Sequence, residues 1–277
     1  MAVALYRSGS DFPVPNPLAR SILLSSVYCP MDVLIVNAVE WGPTHPDDGF
    51  PRDVGDWIKG AMEPAEEPPP RFTIWRAQGQ APPEREHFDA VIMSGSAGSV
   101  YDDETWIGRL EDRVRRWAEL ETPILGICFG HQVIAQALGG RVEKNPLGWE
   151  VGTQKVMLTP EGTSDPLFAG LPSPLKVMES HQDIVVEPPP GAICLAGNDI
   201  SQFQSLAIGD RIRTVQFHPE YTVEQIRYLL NPRREMLTDQ GVDFEAEMGS
   251  ICETPGCRTL IDRFIRGFAL SNAEPRS

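Results

Sequence analysis

Pro123-Ile124-Leu125-Gly126-Ile127-Cys128-Phe129-Gly130-His131-Gln132 is the stretch on which the fold turns. An apolar run of strand length meets a cysteine with a glycine two residues to either side. Helical spacing then follows from Gly130 to Leu138, where Gly139-Gly140 ends it. Strand, Gly-x-Cys-x-Gly, helix is the thiol counterpart of a nucleophile elbow, in which a sharp turn strains the backbone at the nucleophile and small neighbours avoid clashes. At the start of that helix Cys128 lies at the positive end of the helix dipole, which favours the thiolate. Cys128 is the candidate nucleophile.

Outward from the elbow the chain alternates between strand-like and helix-like segments. Val33-Leu34-Ile35-Val36 is a continuous apolar run, as in a strand buried on both faces. Arg71 to Trp75 and Phe88 to Met93 read as strands, and the latter runs into the glycine-bearing turn Ser94 to Ser99. Trp106, Ile107, Leu110, Val114, Trp117 and Leu120 predict a helix over 103–120, stopped before Pro123. The second half predicts strands at short intervals: 154–158, 175–186, 192–196, 205–208 and 212–217. Antiparallel additions to the sheet are therefore expected there, with helices over 222–230 and 258–270 flanking the acidic stretch 235–253. The fold class is α/β.

An acyl transfer through a thioester needs a base for the thiol and donors for the oxyanion. In Val215-Gln216-Phe217-His218-Pro219-Glu220 a strand delivers His218 to a loop, and the fixed φ of Pro219 lets Glu220 turn back toward the imidazole. His218 is the candidate base and Glu220 the residue that orients it. The elbow offers the Phe129 N–H as one oxyanion donor, and the turn after the preceding strand offers Gly95 as the second. A lone His-Pro-Glu or Gly-Ser turn also fits an ordinary loop. The cysteine elbow earlier in the chain is what joins them into one constellation.

Those residues, with Gly139-Gly140 and Phe217-His218-Pro219-Glu220, resemble the class I (triad) glutamine amidotransferases. The likeness is greatest to free-standing, GMP-synthase-like members that include plant γ-glutamyl peptidases, and it runs in motif order over most of residues 31–230. The resemblance implies a three-layer, flavodoxin-like, mostly parallel sheet with helices on both faces. It also implies a Cys128-His218-Glu220 triad that hydrolyses glutamine or another γ-glutamyl compound through a γ-glutamyl thioester. Substrate contacts are implied at Gln132, whose amide would hold the α-amino and α-carboxylate end, and at His181 and Asp183 within Ser180-His181-Gln182-Asp183. Ser94 to Ser99 departs from the Gly-Gly-Pro-Gly form common in the wider family.

Composition narrows the partners. With 24 Lys+Arg against 39 Asp+Glu, the formal net charge of −15 repels phosphate backbones and anionic membrane surfaces, so no nucleic acid is expected as a partner. The longest apolar runs fall short of the roughly 18 to 20 residues that span a bilayer, so no membrane anchor is expected. Five irregularly spaced cysteines fit reduced thiols in the cytoplasm. No cofactor is expected: neither a Ser-Gly-Gly-x-Asp-Ser nor a Gly-x4-Gly-Lys-[Ser/Thr] loop occurs, so the chain does not activate an acceptor with ATP. No metal is expected either, since Cys252-x4-Cys257 lacks a second pair.

A small γ-glutamyl compound is the expected partner. A separate synthetase receiving ammonia, a pathway enzyme amidating a small metabolite, and a catalytically idle partner of a synthetase remain alternatives. Residues 1–30, with Arg7, Arg20, the single acid Asp11, and Pro13, Pro15 and Pro17, read as a disordered or transit-like extension. Residues 31–272 are expected to form one domain, with 273–277 as a tail.

Overall fold

The computed structural model describes residues 30–40, 53–62 and 69–269. The extension expected over 1–30 lies outside these residues apart from Pro30, as does the tail.

β1 (Asp32–Asn37) is apolar on both sides of its pleat and is stable only when both faces are covered. It pairs in parallel with β2 (Arg71–Arg76) and β3 (Ala90–Met93), and β4 (Ile124–Ile127) lies beside β3. β11 (Ile212–Val215) is parallel to β4. The resulting order, β2-β1-β3-β4-β11, is the doubly wound order of flavodoxin-like sheets. β10 (Ser205–Ile208), β9 (Ile193–Gly197), β6 (Glu150–Leu158) and β7 (Leu175–His181) continue the sheet in that order through antiparallel pairs. The expected antiparallel additions in the second half are therefore present.

Alternate residues of each central strand enter opposite layers. Val33, Ile35, Ile92 and Leu125 pack on the side of α1 (Val54–Gly60) and α5 (Val223–Leu230). Leu34, Val36, Val91 and Ile124 pack on the side of α2 (Thr105–Glu119) and α3 (Phe129–Ala137). The apolar stripe of α2 meets α3 through Trp106 and Phe129, whose ring centroids are 5.3 Å apart. α3 is thereby fixed over β4, and with it the turn that joins them.

The antiparallel half curls back on the parallel half. β7 ends the hydrogen-bonding order, yet its Met178 carbonyl accepts the His218 N–H at 2.8 Å just beyond β11. This closure brings the end of β7 to the carboxyl ends of β4 and β11.

Several expectations need correction. The single strand expected over 175–186 is two, because β7 pairs with β6 whereas β8 (Asp183–Glu187) pairs with β5 (Arg141–Lys144) in a separate two-stranded sheet. The helix expected over 258–270 is divided into α8 (Pro255–Arg258), α9 (Leu260–Phe264) and a π-helical turn at Ile265–Ala269. The acidic stretch forms α6 (Arg234–Asp239) and α7 (Phe244–Ser250), anchored by Leu237, Phe244 and Met248. α1, β5 and α4 (Pro160–Ser164) lie where no element was expected.

Candidate functional site

Three strands end at one place: β3 leads into Ser94-Gly95, β4 into Cys128, and β11 through Gln216-Phe217 into His218. Carboxyl ends of parallel strands are where doubly wound sheets bind ligands.

Cys128 adopts φ 52° and ψ −105°, a conformation costly for a residue with a Cβ. Its N–H is fixed to Val215 O at 2.8 Å, and its carbonyl accepts from Gln132 N–H at 3.1 Å as α3 begins. The flanking glycines have a steric cause. A Cβ on Gly126 would lie 2.6 Å from Gly130 O, and one on Gly130 would lie 2.6 Å from Met93 O. The elbow closes only with both glycines in place.

His218 and Glu220 are buried, and His218 Nδ1 lies 2.7 Å from Glu220 Oε1. The acceptor on Nδ1 makes that nitrogen the N–H and leaves Nε2 for the thiol side. A Cβ placed on Gly95 would touch His218 Cε1 at 3.0 Å, Cys128 Cβ at 3.4 Å and Cys128 Sγ at 3.8 Å, so the three residues meet at one point. Burial alone would push the His218 imidazole down, but Glu220 and then Cys128 overcome it and raise it to about 10. At neutral pH the ring is therefore cationic beside the sulfur. Neither the Gly95 N–H nor the Phe129 N–H is occupied by a hydrogen bond among the described residues.

Sequence reasoning missed the wall behind His218. Tyr221 stacks on the imidazole with centroids 4.0 Å apart and planes 5° from parallel, and Trp57 meets Tyr221 edge-on at 5.8 Å. The adjacency of Tyr221 to Glu220 was the available signal; Trp57, from a distant helix, gave none.

The residues implied as substrate contacts divide differently. Gln132 is buried, and its Nε2 donates to Asp183 O at 2.8 Å and Gln216 Oε1 at 3.0 Å, so its donors face the protein and only its oxygen remains for a ligand. His181, implied as a substrate contact, is buried. Its Nδ1 is 3.1 Å from Asp183 O, and its Nε2 is 3.1 Å from Glu179 Oε2 and 3.4 Å from Glu150 Oε2. Acceptors at both nitrogens make the ring an imidazolium. Burial opposes this, but Glu179 and Glu150 hold its pKa well above the usual value. Asp183 stays partly exposed, with its carboxylate on Ser99 Oγ at 2.5 Å and Tyr101 Oη at 2.8 Å.

Glu150, Glu179 and His181 are ligand types that a cation accepts, and their donor atoms lie within 4.8 Å of one another. Glu150, however, already accepts from Asn198, Ser201 and Gln204, and His181 lies between the two carboxylates as their counter-charge. Both Glu179 oxygens and His181 Nε2 are buried without a hydrogen bond, and burial raises the Glu179 pKa against the opposing pull of His181. Two surface depressions, about 290 Å³ beside Arg109 and Arg113 and about 200 Å³ beside Asn37 and Gln78, do not include Cys128.

A strained cysteine at a strand-to-helix elbow, a carboxylate-bound imidazole and two unoccupied N–H groups are the chemical groups that a thiol-dependent acyl transfer requires. The sequence profile of the family Glutamine amidotransferase class-I matches residues 71–231, and the chain belongs to that family. It is 33% identical over 147 residues to gamma-glutamyl peptidase 4 of Arabidopsis thaliana, covering 52% of this chain and 59% of that protein. It is 40% identical over 138 residues to a glutamine-hydrolyzing GMP synthase component of Saccharolobus solfataricus, covering 50% of this chain and 70% of the relative. The chain thus spans about 60% of the length of the plant peptidases it matches. A glutamine amidotransferase from Thermotoga maritima has the same fold, with TM-score 0.67 at 19% identity over 86% of this chain and 98% of that one. No helix among the described residues is long and apolar enough to cross a membrane.

Proposed function

We propose that the chain is a cysteine-dependent hydrolase of γ-glutamyl amides, acting on glutamine or a γ-glutamyl peptide. The observation that carries this reading is the convergence of Cys128, His218 and Gly95 at one point, with Glu220 at 2.7 Å behind the imidazole.

Cys128 Sγ attacks the γ-carbonyl, and the N–H groups of Gly95 and Phe129 receive the oxyanion. The proton on His218 Nε2 passes to the leaving amine as the tetrahedral intermediate collapses to a γ-glutamyl thioester. His218, neutral after that transfer, takes a proton from water, which attacks the thioester and frees glutamate and the thiolate. Glu220 accepts from Nδ1–H throughout and holds the tautomer. Gln132 presents its side-chain oxygen to the α-amino end of the glutamyl group. No step uses ATP, and a reducing, cytoplasmic setting keeps the nucleophile a free thiol.

Release of amine from γ-glutamyl dipeptides and of ammonia from glutamine, measured with and without ATP, tests this reading. Hydrolysis without ATP that disappears in Cys128→Ala supports it, and hydrolysis that persists in Cys128→Ala contradicts it. A second reading, a glutaminase that passes ammonia to a separate synthetase, is favoured by the 40% identity to the Saccharolobus GMP synthase component. It predicts that ammonia release from glutamine rises when the synthetase is added, whereas the first reading predicts full turnover by the chain alone.

A further inference from the structure

The scissile bond has two sides in this site. Gln132, with its free side-chain oxygen, marks the side of the glutamyl head. The leaving nitrogen must face His218, which hands it a proton. The departing amine therefore lies along the wall beside the imidazole, where Tyr221 stacks on the ring and Trp57 meets Tyr221 edge-on.

A cation stands at this wall. Arg233, which follows α5, is half-buried, and its Nη1 lies 3.4 Å from Ser180 Oγ. Ser180 is two residues beyond Met178 on β7, the strand whose Met178 carbonyl holds the His218 N–H. The same guanidinium acts on Tyr221: burial, Glu220 and Cys128 push the phenol up, and the Arg233 charge opposes them. Cation, phenol and imidazole thus share one surface.

Arg233 has no carboxylate partner among the described residues, although the chain carries 39 Asp+Glu against 24 Lys+Arg. Its neighbour Arg234 pairs with Glu245, and most other described arginines have an acid of their own. Arg258, which also reaches the triad, directs its donors to the backbone carbonyls of Glu220 and Gly60. A guanidinium has five N–H donors, and the long contact with Ser180 uses one. The remaining fork fits a carboxylate held by two parallel hydrogen bonds.

We propose that Arg233 binds the carboxylate of the leaving amine. The preferred substrates are then γ-glutamyl amino acids and peptides with a free carboxylate near the scissile nitrogen, rather than glutamine, whose leaving group is ammonia. The proposal deepens the reading of Cys128 as a γ-glutamyl hydrolase and rests on it. The contact is made before the bond breaks and kept while it breaks, so its loss acts chiefly on KM.

The test is steady-state hydrolysis of γ-glutamylglycine and γ-glutamylglycinamide by the full chain, two substrates that differ at that carboxylate alone. The wild type is expected to favour γ-glutamylglycine by about 10- to 100-fold in kcat/KM. Arg233→Gln should bring the ratio close to one, Arg233→Lys should keep part of it, and Arg233→Glu should tip it toward the glycinamide. The ratio is taken within one sample, so partial unfolding of a variant does not change it. Equal kcat/KM for the two substrates in the wild type overturns the proposal. So does an equal loss for both in Arg233→Gln, which would put the guanidinium on the glutamyl α-carboxylate. Both of these outcomes leave the hydrolase reading standing, whereas a wild type that cleaves neither substrate nor glutamine overturns that reading and the proposal with it.

Discussion

At the scale of the residue, the site depends on side chains held where they are chemically uncomfortable. Gly95 shows this by what it lacks. A methyl group there would lie 3.0 Å from His218 Cε1 and 3.4 Å from Cys128 Cβ, too close for the imidazole to keep its place. Gly95→Ala should therefore lower kcat by about 100-fold, the scale of a sub-ångström to 1 Å misplacement, with little change in melting temperature. Kinetics and calorimetry on the same sample check it. His131 is a second case. It is buried with Nδ1 2.7 Å from Thr214 Oγ1, and burial, reinforced by cationic His181, pushes it down to about 3.

A histidine whose folded pKa lies below its unfolded value of about 6.5 binds more protons unfolded, so its contribution is full above that value and is lost as pH falls toward 3. Raised His181 and His218 have the opposite sign and lose their contribution only as pH rises above about 6.5. Urea unfolding should show the wild type losing stability relative to His131→Gln between about pH 6.5 and 3, by at most about 1.4 kcal/mol per pH unit. A difference independent of pH would contradict this assignment. None of this was legible in the sequence, because the burial of His131 and His181 comes from distant strands and a sequence window does not report it.

At the scale of the element, the strand–elbow–helix unit was legible because its signals are local. The apolar run, the two glycines and the terminal Gly139-Gly140 lie within one short segment, and β4 and α3 form within a residue or two of the expected ends. The close approach of Gly126 and Gly130 to Gly130 O and Met93 O makes each replacement a clash of backbone with Cβ. Gly130→Ala should destabilise the protein by about 1–3 kcal/mol or more and distort the Cys128 conformation, read as a fall in melting temperature together with lost Cys128 alkylation. β5 was illegible for the converse reason: Arg-Val-Glu-Lys offers one buried apolar residue, and only its pairing with β8 makes it a strand. α6 and α7 were hidden likewise by an acidic window with few apolar anchors.

At the scale of the whole molecule, the antiparallel half matters because it returns. The hydrogen bond from His218 N–H to Met178 O joins the last strand in the sheet order to the end of β11, and the C-terminal helices cover that junction. A buried ion pair ties the end of α4 to the sheet, Arg213 Nε lying 2.8 Å from Asp165 Oδ2, and the same guanidinium, 4.7 Å from the Phe268 ring centroid, meets the C-terminal cover. Asp165→Asn leaves Arg213 buried without its counter-charge and should cost about 3–5 kcal/mol in denaturant unfolding. A loss below about 1 kcal/mol would mean that water reaches the pair. The α/β class was legible from the alternation of apolar runs and glycine turns, and the mostly parallel sheet was implied by the family resemblance, but the curl was not legible, since it depends on partners far apart in sequence.

The central claim is that Cys128 forms a γ-glutamyl thioester, and the direct measurement is mass spectrometry of protein quenched in acid during turnover of a γ-glutamyl substrate. The account predicts one added glutamyl group, located by fragmentation on Cys128 and absent in Cys128→Ser. Turnover with no adduct in the wild type and full activity in Cys128→Ala would contradict it.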